Sequence, residues 1–106
     1  MQQIPLAQIP AQTLNVVLSG QYCTISVYWR QTRLFLDLSV GAAAICRGAV
    51  CENRADVLQS KSQNFAGTLH FFDLGGDSPP HWERLNDRWI LLYLEAGEYI
   101  PEKLRY

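Results

Sequence analysis

Residues 21–40, QYCTISVYWRQTRLFLDLSV, decide the fold. In the first half Cys23, Ile25, Val27 and Trp29 alternate with Tyr22, Thr24, Ser26, Tyr28 and Arg30. After Gln31-Thr32, Leu34, Leu36, Leu38 and Val40 alternate with Arg33, Phe35, Asp37 and Ser39. Successive side chains of a strand point to opposite faces, so a period of two over both halves predicts two strands, each apolar on one face. The short break between them makes the pair a hairpin. Its Gln31-Thr32 turn lacks the Asn-Gly type of signal, so the sequence leaves the turn geometry open.

The same logic extends outward in both directions. Upstream, Leu14, Val16 and Leu18 alternate with Thr13, Asn15 and Val17, and Ser19-Gly20 supplies a turn, which predicts a strand over 12–18. Before it, IPLAQIP (residues 4–10) carries two prolines, which fix φ and remove donors; this reads as an extended arm or edge segment. Downstream, Val40-Gly41-Ala42 forms a turn and AAAICRG a strand of small residues ending near Val50. A loop or single turn follows, with Asn53 or Asp56 placed to cap it, and SKSQN (60–64) is turn-like. Strands are expected over 67–74 and 88–95, divided by GGDSPP. In the second of these both faces are apolar, as expected of a central strand or one covered by a partner. The tail GEYIPEKLRY reads as extended. The expected fold is all-β: one domain over 1–106, a small sandwich or barrel of about six or seven antiparallel strands, with a core at about 12–95 and arms at 1–11 and 96–106.

Composition narrows the function classes. The chain has 106 residues, 48% hydrophobic and 18% charged, with formal net charge −1. That is apolar enough for a core and gives no basic footprint for nucleic acid. The first residues lack the charged and apolar regions of a signal peptide, and no run approaches a membrane span. Cys23, Cys46 and Cys51 are an odd number without an export signal, which points to reduced thiols and synthesis in a cytoplasm. Their spacing does not match a zinc site, and no metal or cofactor is expected.

The loop between the last two strands holds Asp77, Ser78, His81, Glu83, Arg84 and Asp87. His81 with Asp77 or Glu83 would serve as an oriented general base, but Ser78 and Cys23 belong to no nucleophile motif. Gly, Asp, Ser and Pro are also what a turn requires. The loop is therefore read as a contact surface, with no catalytic residue. His70 is expected to be a satisfied strand residue, and Asp37 to face solvent or pair with an arginine across the hairpin. Tyr22, Tyr28 and Phe35 share the outer face of the hairpin, where aromatic and arginine side chains are the usual interface anchors. They would also stack on sugars, so a small carbohydrate-binding module stands as the rival reading.

The arm IPLAQIP, the segment QTLNVVLSG, the aromatic and Arg-bearing hairpin, and the late positions Leu69, Phe71, Asp73, Gly76, Pro79, Leu85, Arg88, Leu91 and Tyr93 together resemble the baseplate plug family of contractile-tailed bacteriophages. The likeness covers roughly residues 4–95; Ala42, Ala43 and Ala44 depart from the polar turn it would have there. It implies a non-enzymatic virion structural protein, made in the bacterial host cytoplasm and built into the tail baseplate. There it would plug or organise the central hub near the tube end and spike. Its partners would be hub, tube-end and spike proteins, and copies of itself in a symmetric ring. The expected contact residues are Ile4, Pro5, Leu6, Ile9 and Pro10 in the first arm, Tyr28, Arg30, Arg33 and Phe35 on the hairpin, Pro79, Pro80, His81 and Trp82 in the loop, and Tyr99, Ile100, Leu104 and Tyr106 in the tail. Both arms would add to neighbouring sheet edges, and deleting either would leave the domain folded.

Overall fold

A computed structural model of the chain describes residues 1–58 and 65–100. Among them are seven strands: β1 (Gln2–Ile4), β2 (Ala11–Leu18), β3 (Gln21–Arg30), β4 (Arg33–Val40), β5 (Ala43–Val50), β6 (Thr68–Asp73) and β7 (Trp89–Leu94). They form two antiparallel sheets, β2-β3-β4-β5 and β1-β7-β6. The fold is all-β, as expected.

The four-stranded sheet is a meander whose register follows from its turns. Ser19 and Gly20 both have positive φ (51° and 74°), the two-residue geometry whose twist matches that of the strands it joins. Gln31 also sits at positive φ (60°) and closes the central hairpin at Arg30↔Arg33. Alternation then puts Ile25, Val27, Leu34, Leu36 and Leu38 inside, each at most 1% exposed. The inner face of the second sheet meets them with Leu69, Phe71, Leu91 and Tyr93 from β6 and β7. Each such side chain contributes roughly 1.5–3 kcal/mol by leaving water. β7 is the central strand of its sheet and is buried on both faces: Leu92 and Leu94 on the far side are 5% and 3% exposed.

Three local expectations are refined. The first arm is partly built into the domain. Gln2–Ile4 pairs with β7, and Ile4 and Leu6 are 0% and 5% exposed in the shared core. Deleting this arm would therefore remove core side chains and leave cavities, not merely free an edge. Residues 51–58 form no helical turn; they run along the outer edge of β6, with Arg54 N donating to Phe71 O (2.7 Å) and Val57 N to Leu69 O (2.8 Å). Asp56 Oδ1 accepts from Leu58 N and Leu69 N, which ties this segment to β6. Among the described residues Asp37 pairs with no arginine: it accepts from Tyr28 Oη (3.0 Å) and from Gly48 N (2.6 Å), because a register shift in β5 turns that amide toward it. His70 is satisfied as expected, Nδ1 meeting Arg54 O and Nε2 meeting Thr68 Oγ1. The expected turn at 60–64 lies outside the described residues.

Candidate assembly interface

The loop from 74 to 88 is held rigidly at its base. Asp73, 4% exposed, accepts from Arg88 Nε (2.7 Å) and Nη2 (2.9 Å), and from the backbone amides of Gly75 and Ser78 (2.9 Å each). The Arg88 fork beside it, aided by those amides, holds the Asp73 carboxyl down at about 2. Arg88 also lies over the Trp89 ring (4.5 Å), whose Nε1 donates to Ser78 O. Asn53 bridges from outside, accepting from Asp73 N and donating to Asp77 Oδ1 (2.6 Å). Further on, a single 3-10 turn at Trp82–Arg84 is capped by His81, whose Nδ1 accepts from Glu83 N. Arg84 and Asp87 pair across it at 2.7 Å. This is a braced loop, and the Asp73–Arg88 pair that braces it went unread in the sequence. The signal was present: an Asp immediately before a Leu-Gly-Gly turn, with an Arg immediately before the return strand.

Of the two carboxylates considered from the sequence as partners of His81, Asp77 is turned away and Glu83 faces the ring. Asp77 is held by Asn53, and the His81 ring uses Nδ1 as a cap acceptor, with Nε2 facing Glu83 Oε1 across 3.6 Å. What surrounds the imidazole is aromatic: Trp29 at 4.3 Å between ring centroids and Trp82 at 5.9 Å. Trp29 ends the inner row of β3, so this stack covers one end of the sandwich. The first arm joins it there. Trp29 N donates to Pro10 O (2.7 Å), and Gln8 Nε2 donates to Leu85 O (3.2 Å). Ile9, 44% exposed, and Pro10 thus lie at the end of the sandwich where Trp29 meets His81. Pro79 is exposed and Pro80 buried.

The outer face of the meander carries the hairpin candidates. Tyr28 and Phe35 stack at 6.0 Å, Arg30 lies over Tyr28 at 5.4 Å, and Val50 is partly exposed in register with Phe35. Arg33 reaches Glu52 at 3.3 Å. Tyr22, 76% exposed, stands on the same face near the opposite end of the strands. At that far end Met1 pairs its terminal ammonium with Glu98, Ser19 donates to Glu95, and Tyr99 projects into solvent. Of the expected contact residues, then, Ile9, Pro10, Arg30, Arg33, Pro79, His81 and Trp82 converge on one end. Tyr28 and Phe35 adjoin it, whereas Tyr99 and Ile100 stand at the other. Pro5 is exposed, but Ile4 and Leu6 are enclosed in the domain, so their side chains are not offered to a neighbour. Leu104 and Tyr106 lie outside the described residues. The three cysteines are free thiols, and burial pushes each of them up, Cys51 most. A trough of about 560 Å³ lies between β5 and residues 52–58, with Cys46, Arg47, Glu52 and Asp56 in its lining.

The chain is thus an all-β sandwich with a braced loop and an aromatic end. Residues 1–96 match the family model described as cyanophage baseplate Pam3 plug gp18, and the chain belongs to this baseplate plug family. No curated protein matches it. The family is one of phage tail baseplate structural components, and the chain's role is structural in that sense.

Proposed function

We propose that this chain closes or organises the central hub of a contractile tail baseplate, near the tube end and spike, and that the end bearing Trp29, His81 and Trp82 seats it there. The observation that carries the reading is the gathering of these rings with Ile9, Pro10 and Arg30 at the end of the sandwich beside a loop already braced from below. A rigid apolar and cationic patch binds a neighbour without an ordering penalty, and aromatic and Arg side chains dominate such contacts. Polar groups that would serve catalysis are engaged as caps and braces, so the loop is suited to shape rather than turnover. The neighbours proposed are hub, tube-end and spike proteins, with copies of this chain arranged around the axis. The particle forms in the host cytoplasm, where the reduced thiols persist.

Peptide mass spectrometry of purified tail particles, scaled to the tube protein, tests the placement. A few copies per particle are expected; absence from intact particles overturns the proposal. In the same particles Trp82→Ala should lower incorporation at least several-fold while the isolated variant stays folded, since truncating a central aromatic anchor commonly removes most of a contact's strength. Full incorporation of the variant would move the interface elsewhere.

A further inference from the structure

Of the sheet edges, one is unguarded among the described residues. β1 is three residues long and is followed by Pro5. The outer edge of β6 is covered by residues 53–57. β5 is broken by register shifts and carries Arg47 and Gly48. These are the devices by which proteins prevent edge pairing. β2, AQTLNVVL, has none: eight residues without charge, proline or glycine, in unbroken register from Ala11↔Tyr28 to Leu18↔Gln21. Trp29 N donates to Pro10 O, which makes the even-numbered β2 residues the ones bonded to β3. The backbone amides and carbonyls of Thr13, Asn15 and Val17 therefore point outward, and all three residues are exposed.

We infer that β2 is a docking edge for a second copy of this chain, pairing antiparallel with its own counterpart to make one continuous eight-stranded sheet. The outward groups require odd residues to face odd residues; the register proposed sets Thr13 opposite Asn15 of the other copy, with the two Leu14 side chains meeting at the centre. In that register Leu14 and Val16, half-buried at the rim of the core, gain cover, while Thr13 and Asn15 stay on the polar face. A strand paired with itself places like residues near one another, so any charge on it would oppose the pairing; β2 has none. Its flanks are of opposite sign. Arg30, stacked on Tyr28, stands by the Ala11 end, and Glu95, held by Ser19, stands by the Leu18 end. Antiparallel pairing brings each Arg30 end toward the Glu95 end of the other copy. The contact is isologous and closes at two.

Sedimentation of the full chain over a wide concentration range, with amide hydrogen exchange at both extremes, tests this. A concentration-dependent dimer is expected, with the amides of Thr13, Asn15 and Val17 at least ten-fold slower to exchange at the high concentration. Asn15→Pro removes an outward donor, along with the side-chain acceptor for Thr24 Oγ1 on the outer face, and should give a folded monomer, and Thr13→Lys should do the same by placing charge on the edge. A chain that stays monomeric with these amides fast throughout, or a dimer that survives both substitutions, overturns the inference. If Asn15→Pro fails to fold, Thr13→Lys and wild-type exchange decide.

Discussion

The two sheets of this small domain divide its labour. The three-stranded sheet is enclosed on both faces: Phe71, Leu91 and Tyr93 meet the other sheet, and Phe72, Leu92 and Leu94 are covered on the far side. The four-stranded sheet is enclosed on one face only, and its outer surface shows Tyr22, Tyr28, Phe35 and the hydroxyl and amide pairs Thr13–Ser26 and Asn15–Thr24. One sheet is closed on both faces, and the other leaves its outer face open. For a protein whose role is to sit among others, the difference locates where substitutions should affect stability and where they should affect assembly.

The largest effect should come from the enclosed sheet. Phe71 is 0% exposed and pairs with Leu91 at the centre of the core. Phe71→Ala should cost about 3–5 kcal/mol, which for a domain of this size is a large share of its stability. Chemical denaturation followed by intrinsic fluorescence measures it. A loss below about 1 kcal/mol would mean that the two sheets are not unequal in the way described.

A smaller, pH-dependent effect is expected at the loop base. The Asp73 carboxyl is held down at about 2 by Arg88 and the amides of Gly75 and Ser78. A carboxylate whose folded pKa lies below its unfolded value of about 3.9 adds stability above that value and loses it as pH falls through the folded pKa. Asp73→Asn should therefore lower the Tm at neutral pH, on the order of 5 °C. The gap from wild type should shrink between roughly pH 4 and 2 as the wild-type group takes up its proton. A constant gap over that window would show that the loss is one of shape rather than charge. With the brace gone, His81 and Trp82 should also hold their positions less firmly, which links this pair to the proposed interface.

The contrast between the sheets was partly legible in the sequence. Period-two alternation in 12–18 and 21–40 marked the meander and its inner row, because one bare face leaves a clean apolar-polar pattern. The two-sided apolar run at 88–95 likewise announced a central strand. What stayed hidden depends on contacts distant in sequence. Prolines at 5 and 10 mark extended backbone but not whether Ile4 and Leu6 turn inward; only pairing with β7 decides that. Asp37 lacked an arginine partner because a shift in β5, which alternation cannot show, delivers Gly48 N instead. His81 carried the composition of a base, yet Trp29, fifty-two positions earlier, decides its surroundings.

The smallest expected effect sharpens the comparison most. Tyr22 is 76% exposed on the outer face of β3, where its ring is not covered by the core. Tyr22→Ser should change stability by no more than about 0.5 kcal/mol, the usual range for surface positions. Since Tyr22 pairs with Val17 across β2–β3, it stands one strand away from the open edge. A loss well above that range, measured under the same conditions as Phe71→Ala, would mean that the outer face is already covered in the isolated protein. The division between a closed sheet and an open-faced sheet would then have to be redrawn with the open face elsewhere.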